Sequence, residues 1–155
     1  MQKAIFLDRD GVINKDKNHL YKTSDFELTE GIVDLLKKYM KQQYLIIVIT
    51  NQSGIAKGLY TEKDFSEFTY WMCNYMEALG VHITKVYHCP HHPNVTGPCF
   101  CRKPNTGMIM QAKEEFNIDL SQSILIGDQS TDIEAGINAG IGRNYYIDKL
   151  LEVNQ

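Results

Sequence analysis

The stretch Lys3–Asn14 constrains the fold of this chain more than any other part of its sequence. An apolar run ends directly at Asp8, which indicates a strand buried on both faces, as in a parallel sheet. Asp8 and Asp10 follow as Asp-x-Asp, and because side chains alternate along a strand, both carboxylates can face the same side. Two adjacent carboxylates either repel each other or hold a cation. An isolated Asp-x-Asp more often ends an ordinary strand, so the rest of the chain decides between these interpretations.

Strand and helix patterns alternate along the remainder of the chain. Apolar and β-branched runs predict further strands at 44–49, 83–88 and 123–126, with an edge strand at 145–147. Helical periodicity follows Glu30, Thr61, Thr106 and Asp132, and residues 15–29 have the polar composition of a loop. This alternation predicts an α/β fold: a single Rossmann-like domain over residues 1–155, with a parallel sheet, helices on both faces and no cap domain.

The composition limits the classes of protein to which the chain can belong. At 155 residues it is long enough for one domain with a single core. A net charge of −3 with scattered lysines argues against nucleic acid as the main partner. No apolar run has the length of a membrane span, and the N-terminus lacks the pattern of a signal peptide. We therefore expect a cytoplasmic monomer that binds neither nucleic acid nor membrane.

The loop from Cys89 to Cys101 contains a second group of informative residues. Cys-x-His is followed eight positions later by Cys-x-Cys, and three prolines with one glycine predict no regular structure. Four thiol or imidazole ligands fit a closed tetrahedral zinc site, which leaves no position for water, so this zinc would be structural. The predicted ligands are Cys89, His91, Cys99 and Cys101, with His92 as a substitute for His91. A disulfide is the alternative, less favoured in a chain without a secretory signal.

Polar residues follow three of the predicted strands, and a basic pair lies between the last two of these positions. The residues are, in chain order, Asp8 with Asp10, Thr50 with Asn51, Arg102 with Lys103, and Asp128. In a parallel sheet the carboxyl ends of the strands meet at one edge, where folds of this class place their sites. The combination resembles the haloacid dehalogenase superfamily of phosphatases, and the resemblance covers nearly the whole chain.

The resemblance implies a role for each of these residues. Asp8 would be the nucleophile that forms an aspartyl-phosphate, and Asp10 the general acid and base. Magnesium would be held by Asp8, Asp128 and the backbone carbonyl of Asp10, because a carboxylate can approach a phosphate only when charge is cancelled. The groups expected on the transferring phosphoryl oxygens are the Lys103 ammonium, the Thr50 hydroxyl and the Asn51 amide.

Two motifs and the cysteine loop narrow the resemblance to one branch of the superfamily. Phe6–Asn14 and Thr50–Gly58 are most similar to the heptose-bisphosphate phosphatases, whereas the histidinol-phosphate branch tends to carry an acid where Ser53 stands. The branch implies magnesium-dependent removal of the C7 phosphate of D-glycero-D-manno-heptose 1,7-bisphosphate, in ADP- or GDP-heptose biosynthesis. Histidinol phosphate, or another small phosphate monoester, is the alternative substrate. One departure is Gln129, where a basic residue is common, and it concerns specificity more than reaction class.

No segment between the motifs is long enough for a cap, so the pocket is expected to be open. Contacts beyond the reacting phosphate would then come from the pocket's own loops. The candidates are Arg102 and Ser53, with Lys57, His19 and Tyr21, although Lys57 and Tyr21 also fit an ordinary solvated loop.

Other interpretations remain open for parts of the pattern. Asp132 either holds the water shell of the metal or only compensates the charge of a helix N-terminus. A zinc-binding interaction module would need only the cysteine loop. A receiver domain would carry a phospho-aspartate without turning over, so steady release of phosphate separates it from a phosphatase.

Overall fold

A computed structural model describes residues 1–153, and its central feature is a parallel sheet. The strands are β1 (Lys3–Leu7), β2 (Tyr44–Asn51), β3 (Lys85–Cys89), β4 (Ile124–Gly127) and β5 (Arg143–Tyr146). They pair in parallel in the order β3-β2-β1-β4-β5. Strand β1 therefore lies in the middle of the sheet, and the side chains of residues 4–7 are completely buried. This confirms the prediction of a first strand buried on both faces.

Helices cover both faces of the sheet, as predicted. They are α1 (Ile32–Lys41), α2 (Glu62–Ala78), α3 (Pro93–Thr96), α4 (Gly107–Phe116), α5 (Ser130–Ala139) and α6 (Ile147–Val153). Helices α1, α2 and α6 contribute to an apolar core on one face, and α4 and α5 contribute to a second core on the other. The result is one α/β domain with two apolar layers, in which the strand ends at one edge are free to carry polar groups.

Local sequence signals explain where two of the helices begin and end. The hydroxyl of Thr61 accepts from the Asp64 amide at 3.0 Å, and the Asp64 carboxylate accepts from the Thr61 amide at 2.9 Å. This capping box satisfies two backbone donors at the start of α2. Helix α5 ends at Gly140, whose φ of 89° is accessible to glycine at little cost.

The structure corrects four details of the sequence-based prediction. Strand β3 begins at Lys85 rather than at residue 83, because its register with β2 starts there. Strand β5 begins at Arg143, opposite Ile124 of β4, and ends before residue 147, which begins α6. The cysteine loop does contain regular structure, since Pro93 stands in the first turn of the short helix α3, a position that proline favours. Residues 15–29, predicted as loop, include one turn of 3-10 helix at Thr23–Asp25.

Among the residues described, no helix combines the length and the apolar character that crossing a bilayer requires.

Candidate active site

A cavity of about 230 Å³ opens where β1, β2 and β4 end. The carboxylates of Asp8 and Asp10 share its wall, as their alternating positions predicted. The wall also includes Asn51, Gln52, Ser53 and Asp128. The topology brings these residues together because β1 lies between β2 and β4 in the sheet.

Lys103 places a buried positive charge beside Asp8. Its Nζ lies 3.3 Å from Asp8 Oδ1 and 2.6 Å from Asp132 Oδ1, and it donates to the carbonyl oxygen of Ile49 at 2.8 Å. Burial disfavours the charged ammonium, but Asp8 and Asp132 outweigh that effect and raise the pKa of Lys103. The side chain is only 4% exposed, so this cation is fixed in place by three oxygen partners.

Asp8 and Asp128 stand close enough to need a shared cation. Burial, together with the nearby carboxylates and against the lowering effect of Lys103, raises the pKa of Asp8 to about 7. Burial and the neighbouring Asp132 raise the pKa of Asp128 to about 6. In both residues burial is the main cause of the shift, and neighbouring negative charge adds to it.

The donor set at this point fits a magnesium ion. Oxygens of Asp8, Asp128 and Asp132 lie within 4.8 Å of one another, and Asp128 Oδ1 is buried without a hydrogen-bond partner among the described residues. Carboxylate oxygens are the ligands that magnesium prefers. Gly11 makes room for this arrangement: its φ is +88°, and a Cβ there would lie 2.0 Å from Asp128 Oδ2.

Asp132 has three partners that the sequence did not reveal. Its Oδ2 accepts from the backbone amides of Asp128 and Gln129, both at 3.1 Å, which caps the start of α5. Its Oδ1 forms the ion pair with Lys103. Asp132 therefore does compensate the helix N-terminus, and the same carboxylate also holds the lysine.

Asp10 is held by four donors. Arg9 reaches both of its oxygens, from Nε to Oδ1 at 3.2 Å and from Nη2 to Oδ2 at 3.1 Å. Asn14 Nδ2 donates to Oδ1 at 3.1 Å and Gln52 Nε2 donates to Oδ2 at 3.1 Å. The carboxyl group of Asp10 therefore has a defined orientation at the cavity wall.

The end of β2 supports the site rather than opening freely into it. Asn51 Oδ1 accepts from the Lys103 amide at 3.1 Å, and its Nδ2 donates to the Lys103 carbonyl at 3.4 Å. The buried Thr50 hydroxyl accepts from Gln52 Nε2 at 2.9 Å. Tyr60 donates its hydroxyl to Gln52 Oε1, and burial raises the pKa of Tyr60 to about 12, so it remains a donor at neutral pH. These bonds connect β2 to the Lys103 backbone on one side and to Asp10 on the other.

The four predicted zinc ligands form one cluster at the end of β3. Cys99 Sγ lies 3.6 Å from Cys89 Sγ and 3.7 Å from Cys101 Sγ, while His91 Nδ1 lies 3.5 Å and 3.3 Å from the same two sulfurs. A tetrahedral zinc ion with Zn–S near 2.3 Å and Zn–N near 2.0 Å separates its ligands by about 3.5–3.8 Å. The donor set therefore fits zinc.

The same cluster is also compatible with a disulfide, the alternative to zinc. Cys89 and Cys101 are joined as a disulfide in the structure. A disulfide employs two of the four donors and leaves Cys99 and His91 packed against it, whereas zinc employs all four. His92 is not in the cluster: its Nδ1 accepts from the Asn94 amide at 3.1 Å.

Comparison with known proteins shows which family contains this arrangement. The family model for polynucleotide kinase 3 phosphatase matches residues 3–143. The D-glycero-alpha-D-manno-heptose-1,7-bisphosphate 7-phosphatase of Photorhabdus laumondii is 48% identical over 150 residues, which cover 94% of this chain and 82% of the relative. The chain belongs to the haloacid dehalogenase-like phosphatases.

Two further relatives place the chain within these phosphatases. The enzyme of the same name from Campylobacter jejuni is also 48% identical, over 90% of this chain and 79% of the relative. A beta-anomer 7-phosphatase from Haemophilus influenzae is 40% identical, over 95% of this chain and 82% of the relative. A solved D,D-heptose 1.7-bisphosphate phosphatase from B. bronchiseptica, complexed with magnesium and phosphate, superposes with a TM-score of 0.84 at 26% identity, covering 99% of this chain and 87% of that one.

The predicted outer contacts of this haloacid dehalogenase-like phosphatase are distributed unevenly. Ser53 and His19 line the cavity. Arg102 lies beside the cysteine cluster, where its Nη1 donates to the His91 carbonyl at 3.3 Å. Tyr21 stacks on Tyr60 with ring centroids 5.4 Å apart, which fixes the loop in front of the site. Lys57 is exposed, in agreement with the solvated-loop interpretation.

Sequence reasoning missed Arg9, Gln52 and Tyr60, which surround Asp10. Alternation along a strand predicts only that Arg9, between Asp8 and Asp10, points away from both carboxylates. Its 1% exposure and its two bonds to Asp10 depend on a guanidinium that turns back toward its own neighbour. Because no periodicity in the sequence encodes that turn, the one available signal was the motif Asp8-Arg9-Asp10 itself.

Proposed function

We propose that this chain removes the C7 phosphate of D-glycero-D-manno-heptose 1,7-bisphosphate, in the synthesis of ADP- or GDP-heptose. The observation that carries the proposal is the placement of Asp8: its carboxylate faces the cavity, 3.3 Å from the buried ammonium of Lys103, with Asp10 on the same wall. Relatives at up to 48% identity, named for this phosphatase activity, support the choice of substrate.

In the first step, an oxygen of Asp8 attacks phosphorus while the bond between phosphorus and the leaving oxygen of the sugar breaks. The proton that the leaving oxygen needs comes from Asp10. Dividing a very slow hydrolysis into two displacements, with proton transfer in each, lowers both barriers. The products of this step are the sugar monophosphate and phospho-Asp8.

In the second step, water attacks the phosphorus of phospho-Asp8 and the acyl phosphate bond breaks. Asp10, now a carboxylate, takes the proton from that water, so inorganic phosphate leaves and both residues return to their starting forms. One side chain can serve as acid and then as base because the two steps follow each other at the same position.

Other side chains hold the phosphoryl group while charge shifts between oxygens. Lys103 supplies a positive charge that is already fixed by Asp132 and the Ile49 carbonyl. Thr50, Asn51 and Ser53 are proposed as hydrogen-bonding groups toward phosphate and substrate. In the present geometry Asn51 acts on Lys103 through two backbone bonds, so its contribution includes keeping that lysine in register.

Asp8, Asp128 and the backbone carbonyl of Asp10 would hold magnesium. When bound, the ion supplies positive charge that offsets the repulsion between Asp8 and a phosphate dianion. The buried Asp128 oxygen without a hydrogen-bond partner supports its assignment as a ligand.

Cys89, His91, Cys99 and Cys101 would hold one structural zinc ion. The loop that they close leads directly to Arg102 and Lys103, so ordering this loop also orders the lysine. Zinc needs reduced thiols, which the cytoplasm maintains, and we place the protein there.

Arg102 is proposed as a contact to the part of the substrate beyond the reacting phosphate. A guanidinium carries five donors and forms forked bonds to phosphate or vicinal hydroxyls. The His91 carbonyl uses one of its nitrogens. Replacing Arg102 by Ala should therefore lower kcat/KM for the bisphosphate far more than for 4-nitrophenyl phosphate. Lys57→Ala, which changes an exposed loop cation, is the matched control.

We propose that residues 1–155 form one phosphatase domain that works as a monomer on a small sugar phosphate, without nucleic acid. The alpha anomer is the proposed preference, because the alpha-specific relatives are 48% identical and the beta-specific ones 38–41%.

A panel of substrates tests the proposal. Phosphate release is measured on both anomers of the heptose bisphosphate, on histidinol phosphate and on a 3′-phosphorylated oligonucleotide. The highest kcat/KM is expected for the alpha bisphosphate, with one phosphate released per molecule. A higher value for histidinol phosphate or for the oligonucleotide would reject the substrate but not the chemistry at Asp8. A single turnover that stops at phospho-aspartate would reject the phosphatase itself.

A further inference from the structure

Arg9 is the largest of the completely buried side chains, and the proposed hydrolysis gives it no task. It is 1% exposed although it carries a permanent charge. Burying an unpaired charge is strongly unfavourable, so the partners of a buried charge show what it is held against. The guanidinium meets Asp10 through two of its nitrogens, at 3.2 Å and 3.1 Å, in the forked geometry that fits a carboxylate.

The Arg9 guanidinium has further contacts through its Nη2 and its flat face, whereas its Nη1 is buried without a hydrogen-bond partner among the described residues. Its Nη2 donates to the Leu20 carbonyl at 2.8 Å, which ties it to the loop over the site. The ring of Phe68, on α2, lies 4.7 Å from its central carbon, a favourable cation–π distance. The loop and α2 therefore hold the Arg9 guanidinium in place while it donates two hydrogen bonds to Asp10.

The four hydrogen bonds on Asp10 are unequal in strength. A carboxylate has about four lone-pair positions, and Arg9, Asn14 and Gln52 occupy four with their donors. Asp10 can carry or transfer a proton only when one of those donors withdraws. Hydrogen bonds from a charged donor are about twice as strong as those from a neutral one. The neutral amides of Asn14 and Gln52 therefore yield first, and Arg9 remains.

We propose that Arg9 is a positioning residue for proton transfer by Asp10. Its buried fork holds the Asp10 carboxyl group in one orientation while a neutral amide withdraws to let the proton reach the leaving oxygen. The inference rests on the proposed function, in which Asp8 takes the phosphoryl group and the proton of Asp10 goes to the leaving oxygen. Arg9 itself exchanges no proton, because a guanidinium stays protonated.

The nature of the leaving group separates positioning from general structural damage. 4-Nitrophenolate leaves without a proton, whereas the alkoxide of benzyl phosphate needs one, and the two substrates are similar in size. The parameter to compare is kcat/KM, which covers the steps up to formation of phospho-Asp8. Arg9→Met should lower kcat/KM about 100-fold for benzyl phosphate, within the range of general acid catalysis, and less than about 3-fold for 4-nitrophenyl phosphate.

Arg9→Lys provides a second variant that keeps the charge and the apolar stem but loses the fork. An intermediate fall of about 10-fold on benzyl phosphate is expected, because lysine cannot form both bonds to a carboxylate. Circular dichroism and thermal melts establish that each variant is folded, and Arg9→Lys decides the question if Arg9→Met does not fold.

Two controls make the result interpretable. Asp10→Asn gives the full selective loss expected when the acid itself is missing. Ser123→Ala removes a buried side chain at the opposite end of the sheet, where Ser123 accepts from the Ala4 amide at 3.0 Å and donates to the Asp119 carbonyl at 2.7 Å. That variant should change kcat/KM for both substrates by the same factor.

A selective loss on benzyl phosphate in the Arg9 variants supports the inference. Equal losses on both substrates, with Asp10→Asn still selective, overturn the role of Arg9 and leave the proposed function intact. An Asp10→Asn variant without selectivity overturns the acid role of Asp10 and the inference together.

Discussion

Buried charges at single residues set the chemistry that this site can perform. Asp8 and Lys103 share an environment that separately would disfavour each of their charged forms, so each charge depends on the other. Removing one partner of such a pair leaves an uncompensated buried charge. Substitutions here therefore act on both stability and rate, and tests must measure both.

Asp8→Asn should abolish turnover without unfolding the protein. The amide has the shape of the carboxylate but cannot form a stable bond to phosphorus, so kcat should fall more than about 1000-fold, or about 4 kcal/mol. Stopped assays for phosphate, with a thermal melt on the same sample, check this outcome. A tenfold change in rate corresponds to about 1.4 kcal/mol. Retention of more than about one per cent of the wild-type rate would reject Asp8 as nucleophile.

Gly11→Ala should weaken magnesium activation. A Cβ at this position would lie 2.0 Å from Asp128 Oδ2, and φ of +88° disfavours any other residue. Gly140→Ala is the matched control: its φ is +89°, but nothing lies within 4 Å of the added atom. Both variants should lose about 1–2 kcal/mol from backbone strain in urea unfolding. Only Gly11→Ala should raise the magnesium concentration needed for half-maximal rate, and equal behaviour of the two would contradict this assignment.

At the scale of elements, two separate chain segments bring together Asp8 and Lys103, the proposed catalytic groups. Asp8 directly follows strand β1, and Lys103 directly follows Arg102 at the end of the cysteine loop that begins at the end of β3. The side chain of Asn51, at the end of β2, binds both backbone polar groups of Lys103. The position of the lysine therefore depends on how well the cysteine loop is folded.

Removing zinc should disorder the cysteine loop before the sheet unfolds. The purified protein should contain one zinc per chain, and magnesium should not replace it, because thiolate and carboxylate sites select different metals. Strong chelation should expose thiols and abolish activity, while the far-ultraviolet dichroism of the sheet and helices persists. Elemental analysis without zinc, combined with a count of two free thiols among the four cysteines, would instead establish the Cys89–Cys101 disulfide.

At the scale of the whole molecule, the charged cavity affects stability in a way that depends on pH and magnesium. Without metal, burial raises the pKa of Asp8 to about 7 and that of Asp128 to about 6, above their ordinary 3.8. Between about pH 4 and about pH 7 the folded state then binds more protons than the unfolded state. The stability of the folded state therefore falls as the pH rises through this range. Magnesium takes the place of those protons, and its stabilising effect should grow with pH.

Thermal melts with and without magnesium, at about pH 5.5 and about pH 8, check this linkage. At a concentration 100 times Kd the ion contributes about 2.7 kcal/mol, and each kcal/mol raises Tm by about 2–4 °C in a domain of this size. Asp128→Asn should remove most of the magnesium shift at the higher pH. A shift of equal size at both pH values would contradict the raised pKa values as the cause.

The sequence predicted the fold and the meeting of Asp8, Asp10, Asn51 and Asp128 because both follow from strand order. Continuous apolar runs in the sequence indicate strands that are buried on both faces, and the carboxyl ends of the strands of a parallel sheet share one edge. The Arg9 fork and the double role of Asp132 could not be predicted, since they depend on side-chain rotations that leave no period in the sequence. The bounds of β3 and β5 were misplaced because pairing with a neighbour, not local composition, sets where a strand begins.

The central place of β1 also divides the molecule by how readily its backbone opens. Residues 5–7 are paired on both sides, to β2 and to β4, so their amide protons should exchange with deuterium only when the whole domain unfolds. Strands β3 and β5 lie at the rims and can open alone. Asp8, the proposed nucleophile, is therefore attached to the slowest-exchanging part of the chain, whereas the cysteine loop that leads to Lys103 continues from a rim strand. Natural or engineered substitutions in that loop can therefore adapt the site to another phosphate ester without destabilising the strand that positions Asp8.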